Sequence, residues 1–147
     1  MMEKLDVIGR IDKIDLPEFG LENIPAKIDT GANRSSIHCS EIFQTLENGK
    51  EEVSFHIPLD SSHGENVFHI KSFYKKKIRS SSGHIEERYI IKTVIKLFGR
   101  KINTTFSLSD RTEMNYPVLL GRKLLKSRFL VDVSKEDLSF KQKTKTS

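Results

Sequence analysis

The chain has 147 residues and carries 25 Lys and Arg against 20 Asp and Glu, a net charge of +5, a length that suits one ordinary domain and is too short for two with sizeable separate cores. A pI near 9.3 permits an acidic partner, but charged residues of both signs at 31% of the chain are unlike a nucleic-acid-binding tail. One cysteine, Cys39, excludes an internal disulfide and a multi-cysteine zinc site, and no apolar run approaches the roughly 18 residues of a membrane span.

The hydrophobic residues recur mainly with period two, which predicts strands. In chain order, residues 7–14 and 24–28 are short strand candidates separated by a Pro17-Glu18-Phe19-Gly20 turn. Val53, Phe55, Ile57 and Leu59 then alternate with Glu52, Ser54, His56 and Pro58. Residues 75–84 are basic and serine-rich between two strand candidates, and are expected to be mobile. Residues 89–98 are β-branched and aromatic, Phe98-Gly99-Arg100-Lys101 has the form of a hairpin turn, and Ile102, Thr104, Phe106 and Leu108 resume the alternation. An apolar strand at 116–120, a brief helix at 122–127 and a strand at 129–133 follow. The expectation is a single small all-β barrel or sandwich over residues 1–140, with a basic, disordered tail at 141–147 that holds three lysines and no apolar residue. The N-terminal Met1-Met2-Glu3-Lys4 has no signal-peptide core, so a reducing, cytoplasmic location is expected.

The residues that suggest chemistry are Ala26-Lys27-Ile28-Asp29-Thr30-Gly31-Ala32. An apolar strand delivers a carboxylate to a fixed place, a Thr hydroxyl can brace the loop, and Gly allows close backbone approach with its N–H free to orient a carboxylate oxygen. Asp-Thr-Gly is also a common turn tripeptide. Its context is more specific: about ninety residues later comes Tyr116-Pro117-Val118-Leu119-Leu120-Gly121-Arg122-Lys123-Leu124-Leu125, an apolar strand, Gly-Arg and a short helix.

These two motifs, in this order, resemble the retroviral-type aspartic proteases, the retropepsins. With Ser35, His38, Met114 and Phe129-Leu130-Val131-Asp132, the chain is similar to a bacterial retropepsin-like family usually labelled ATP-dependent zinc proteases and associated with ribosomal-protein glutamate ligases. The resemblance implies a mostly β acid-protease barrel with one short C-terminal helix. It implies a catalytic Asp29-Thr30-Gly31, with Ala32, Asn33 and Arg34 lining substrate subsites and Ser80, Ser81, Ser82 and Gly83 at the tip of a flap. It gives Gly121 and Arg122 structural roles. In retropepsins the equivalent arginine pairs with an aspartate shortly after Asp-Thr-Gly. Here those positions are Asn33 and Arg34, so Arg122 must find another carboxylate or a carbonyl.

With one Asp-Thr-Gly in the chain, the resemblance further implies a homodimer, joined through terminal strands near residues 5–8 and 129–133 that are unpaired in the monomer. A peptide or protein substrate is expected, with acidic side chains preferred if Arg34, Lys75, Lys76, Lys77 and Arg79 face one cleft, although Arg34 could instead turn inward to Asp132. The alternative is a non-catalytic binding module that partners a glutamate ligase. No nucleic acid is expected, since there is no Trp to stack bases, and no membrane.

No metal or other cofactor is expected either. A P-loop ending in Gly-Lys-Ser/Thr and a His-Glu-x-x-His helix are both absent, and no two of His38, His56, His63, His69 and His84 are spaced i, i+4. His56 and His63, or His63 and His69, could meet across strands, but they read first as surface residues. Cys39 follows His38 directly, and neighbours in a strand point to opposite faces, which argues against a thiol nucleophile with a histidine base.

Overall fold

A computed structural model describes residues 5–59, 66–79, 82–110 and 115–145. The alternation becomes strands β1 (Asp6–Ile8), β2 (Ile11–Leu16), β3 (Leu21–Ile28), β4 (Ser36–His38), β5 (Ser40–Glu47), β6 (Lys50–His56), β7 (Val67–Ile70), β8 (Phe73–Arg79), β9 (Ile85–Leu97) and β10 (Arg100–Ser109). Strand β11 (Val118–Leu120), helix α1 (Arg122–Leu125), strand β12 (Phe129–Val131) and helix α2 (Leu138–Lys145) complete the order. The fold is mostly β, as the periodicity predicts, and α1 is the short helix expected after the Gly-Arg pair. No helix among the described residues is long and apolar enough to cross a membrane.

Seven strands run in the order β10-β4-β11-β3-β2-β9-β8, and β10 also pairs with β9, so the order returns on itself. The inward residues of this ring include Ile14, Ile24, Ala26, Ile37, Ile91, Ile95, Phe106, Val118 and Leu120, each at most 1% exposed. Each large one contributes about 1.5–3 kcal/mol by leaving water. A separate sheet, β5-β6-β7, joins the core through Phe55, whose ring lies 6.1 Å from Phe19 and 5.9 Å from Phe68.

Two hairpins share one turn chemistry. Phe98 and Gly99 (φ 53° and 70°), between β9 and β10, and Asn48 and Gly49 (φ 53° and 75°), between β5 and β6, are left-handed pairs that match the twist of the flanking strands. The left-handed conformation is unfavourable for phenylalanine. It is held because the Phe98 ring packs 5.8 Å from Phe129 and its N–H donates to Ser139 Oγ at 2.8 Å.

Five expectations are corrected. The strand expected over 7–14 breaks at Gly9, where a Cβ would lie 2.3 Å from the Lys135 carbonyl oxygen, and the Arg10 N–H donates to that same oxygen at 2.9 Å. The terminal strands are paired within the chain: β1 runs parallel to β12, with Val7 opposite Leu130. The alternation over 53–59 outlasts its strand, because β6 ends at His56 and the Ile57 N–H turns to the Asn66 carbonyl. Residues 75–79 are ordered in β8, paired with β9 up to Arg79 opposite Ile85. Residues 141–145, expected to be disordered, belong to α2.

Helix α2 forms because of a carboxylate far upstream. Asp12, 1% exposed on β2, accepts the N–H groups of Ser139 at 2.9 Å and Phe140 at 3.1 Å, besides that of Lys13 at 2.8 Å. It thereby satisfies donors that a helix start leaves open. Lys13 adds a cation over the Phe140 ring, 4.3 Å from its centroid, and Lys143 reaches Asp15 and Asn23.

Burial raises the Asp12 pKa above its ordinary 3.8 and outweighs the N–H groups that lower it. The stability tied to this group is therefore full below the ordinary value and is lost as pH rises through the raised one. Denaturant unfolding of wild type and Asp12→Asn across the acidic range should show wild-type stability, relative to the variant, falling as pH rises. The opposite slope would mean that the three N–H groups outweigh burial.

Candidate active site

The site is built by a crossing. Strand β11 lies between β3, to which it is parallel, and β4, to which it is antiparallel. The chain leaving β3 must therefore pass over the end of β11 to reach β4, and residues 29–35 make that passage. Asp29 is its first residue, with its N–H donating to the Leu120 carbonyl at 2.9 Å. Its Oδ1 accepts the Gly31 N–H at 3.0 Å, and its carbonyl accepts the Ala32 N–H at 3.2 Å. Asp29 is half-buried while Thr30 and Gly31 are exposed, so a carboxylate of fixed orientation stands at the surface end of a buried strand.

Gly121 allows the crossing. A Cβ there would lie 2.8 Å from the Arg34 carbonyl and 2.9 Å from the Ala32 oxygen. Its N–H donates to the buried Ser35 Oγ at 3.0 Å. The first N–H groups of α1, which have no partner within the helix, go to the loop: Arg122 N–H to the Ala32 carbonyl at 2.8 Å and Lys123 N–H to the Asn33 carbonyl at 3.0 Å. The Arg122 side chain returns to the Thr30 carbonyl at 3.0 Å. Of the two partners open to Arg122, a carboxylate or a carbonyl, it uses a carbonyl, and the Thr30 carbonyl, rather than its hydroxyl, braces the loop.

The structure thus gathers Asp29, Thr30, Gly31, Ala32, Asn33, Arg34, Gly121 and Arg122 in one place. Arg34 does not pair with Asp132, whose carboxylate accepts the Ser134 hydroxyl and N–H and is held below its ordinary pKa by them. Instead the Arg34 guanidinium reaches the Tyr74 hydroxyl at 3.4 Å. Tyr74 was not foreseen, since only the fold brings residues 40 positions apart together. Of the expected flap tip, Ser80 and Ser81 lie outside the described residues, while Ser82 and Gly83 sit beyond the last ladder pair of β8 and β9.

The pleat of β8 corrects the expected positive cleft. Register places Tyr74, Lys76 and Ile78 on one face with Ile90, Arg88 and Glu86, and Lys75, Lys77 and Arg79 on the other. Arg34 meets the Tyr74 face, so of the four basic residues of β8 only Lys76 shares its side. Lys75 instead lies over the Tyr89 ring, 5.5 Å from its centroid.

The thiol candidate falls away. Cys39 is wholly buried, and burial pushes its thiol pKa far up, the reverse of what a nucleophile needs. His56 Nδ1 lies 3.1 Å from Ser40 Oγ, His69 Nδ1 lies 3.9 Å from Glu52, and His63 is outside the described residues. Among the described residues, no group of three or more His, Cys, Asp or Glu could hold a metal ion. Beside the loop, a groove of about 610 Å³ is lined by Thr30, Asn33, Arg122, Leu125, Phe129 and Val131, among others.

Comparison with known proteins agrees with this geometry. Residues 7–142 match the RimB-like family, described as retropepsin-like aspartic endopeptidase RimB. The chain is 34% identical over 137 residues to a protein of Shewanella halifaxensis named probable alpha-L-glutamate ligase, covering 91% of this chain and 30% of that one. A protein of the same name from Desulfotalea psychrophila is 34% identical over 143 residues, covering 90% and 31%. The chain therefore spans less than a third of the length of these relatives. Among solved structures, Lpg0085 of Legionella pneumophila, a protein of unknown function, matches with a TM-score of 0.75 at 26% identity, covering 92% of this chain and 99% of that one.

Two glycines of the site should fail differently. In Gly121→Ala the new methyl meets backbone on two sides, so thermal unfolding should show a loss at or above the ~1–3 kcal/mol of ordinary overpacking. In Gly31→Ala the methyl would lie 3.3 Å from Asp29 Oδ1, a side-chain atom that can shift. Stability should then change by less than about 1 kcal/mol, while the Asp29 carboxyl resonance moves. Equal unfolding of both variants would refute the distinction.

Proposed function

The chain belongs to the RimB-like family of retropepsin-like aspartic endopeptidases, and on that premise we propose that it is an aspartic-type peptidase whose reacting pair is Asp29 from each of two copies. The observation that carries this is the Asp29 carboxylate itself, fixed by the Gly31 N–H where a buried strand ends. As in aspartic proteases generally, two carboxylates held close cannot both ionise readily, so the pair shares one proton and titrates as a unit. The ionised member takes a proton from water as the water oxygen attacks the scissile carbonyl. The protonated member gives its proton to the carbonyl oxygen. The tetrahedral diol then collapses with proton transfer to the leaving nitrogen, and no covalent enzyme intermediate forms.

The second copy is needed because the chain has one Asp-Thr-Gly. Support for a contact comes from apolar surface on and beside the terminal strands: Val7 is 45%, Leu130 56% and Val133 72% exposed. Since β1 and β12 pair within one chain, a partner would add to this two-stranded sheet rather than complete it.

The proposed substrate is an acidic protein tail, such as one extended with glutamates. Arg34 beside the loop supports it, as do the names of the relatives in which this unit is under a third of the chain. Those names and lengths equally favour a second reading, in which the unit is a non-catalytic module that serves a glutamate ligase.

One set of assays separates the two. Wild type should cleave Glu-rich peptides faster than matched Lys-rich ones, and Asp29→Asn should lose at least ~10²-fold with its fold intact. Activity should fall faster than linearly on dilution, and EDTA should leave it unchanged. If wild type cleaves neither peptide, while wild type and Asp29→Asn bind a glutamate ligase equally, the module reading replaces the peptidase.

A further inference from the structure

Strand β10 has an open edge. Its residues 100–107 pair with β9 on one side, whereas β4 covers only Ser107–Ser109 on the other. Ser107 sends its N–H to the Ser35 carbonyl on the β4 side. Period two therefore directs the N–H and C=O groups of Lys101, Asn103 and Thr105 to that same edge. Among the described residues, no strand pairs there and no loop backbone bonds to it.

This edge borders a groove of about 460 Å³ lined by Arg100, Lys101, Ile102, Asn103, Lys126, Ser127 and Arg128, with no acidic and no aromatic residue in its lining. Arg100 meets Asp6 at 3.0 Å, and Arg128 donates to the Leu124 carbonyl, which leaves its charge uncompensated. Lys101 and Lys126 are exposed, and neither has an ion pair among the described residues.

We propose that this edge and groove form a docking site for an extended, acidic polypeptide segment, which adds as a strand along residues 101–105 while its carboxylates meet Lys101, Lys126 and Arg128. Lysines on an open edge commonly serve only to prevent self-association. Here, however, Lys126 and Arg128 come from the chain after α1 and converge on the groove from across it, which edge protection does not require. The backbone donors and acceptors without a strand partner match a peptide, and the lining offers no aromatic face on which a nucleic-acid base could stack. Lys126 also lines the groove beside Thr30 and Arg122, so a segment docked on β10 is led toward the Asp29 loop. The site goes beyond the peptidase assignment, because binding here needs no cleavage.

Fluorescence anisotropy with labelled octaglutamate tests it on the full chain carrying Asp29→Asn, which separates binding from hydrolysis. Adding Lys101→Glu and Lys126→Glu should weaken binding at least about tenfold, as should rising salt. An octaglutamate N-methylated at alternate residues, with its charge unchanged but its strand hydrogen bonds blocked, should bind at least about tenfold more weakly than the parent peptide. Thermal unfolding would verify that the variants are folded. Affinity unchanged by the two substitutions would overturn the site, full affinity of the N-methylated peptide would overturn strand addition, and tighter binding of an oligonucleotide of equal charge would assign the groove to nucleic acid instead.

Discussion

The passage of residues 29–35 over the end of β11 is the constraint on which the rest of the site depends. It works because position 121 lacks a side chain, letting the loop lie against the strand end at a distance that a methyl group would forbid. Once the loop is there, the open N–H groups of α1 meet the carbonyls of Ala32 and Asn33, and the loop and helix each complete the other. These bonds use backbone almost throughout. The loop side chains are therefore free to vary, which explains how Asn33 and Arg34 stand where retropepsins carry an aspartate without loss of the crossing. The carboxylate of Asp29 inherits its orientation from backbone alone.

That exchange has an electrostatic consequence. An arginine that pairs with an aspartate is neutralised, whereas Arg122, paired with the Thr30 carbonyl, is satisfied as a donor and keeps its field. Lys123 and Lys126 line the same groove, and two carboxylates that follow in sequence are committed elsewhere: Asp132 to Ser134, and Glu136 to Arg10. Arg122, Lys123 and Lys126 thus place positive charge along the groove beside the functional loop. Screening shortens such a field to about 8 Å at physiological ionic strength, so it acts on a ligand already near the groove. On the acidic-substrate proposal, such a field would favour carboxylates over neutral chains.

Much of this was legible in the sequence because it is local. The alternation marks the strands, Asp29-Thr30-Gly31 marks the loop, and Leu120-Gly121-Arg122 marks the strand end and helix that hold it. What failed was of two kinds. Some signals were present but not followed: Asn48-Gly49 is a strong hairpin signal, and the pleat of β8 already separates Lys76 from Lys75 and Lys77. Other features have no local signal. Helix α2, lysine-rich and weakly apolar, depends on Asp12, 127 residues away from Ser139. Arg34 meets Tyr74 only because β8 is carried round to the loop. The pairing of β1 with β12 needs the whole chain between them to be folded.

That last pairing alters what assembly means for the chemistry. Were the terminal strands unpaired in a single copy, the monomer would expose two ladders and its own fold would lean on the partner. With Asp6–Ile8 already hydrogen-bonded along Phe129–Val131, one copy has its terminal sheet in place, and on the proposed mechanism a second would contribute the other carboxylate. The fold and the reacting pair are then separable, because one is complete in a single chain while the other, on the proposed mechanism, exists only in the dimer. On that mechanism, dimerisation would decide activity without being needed to pair the terminal strands.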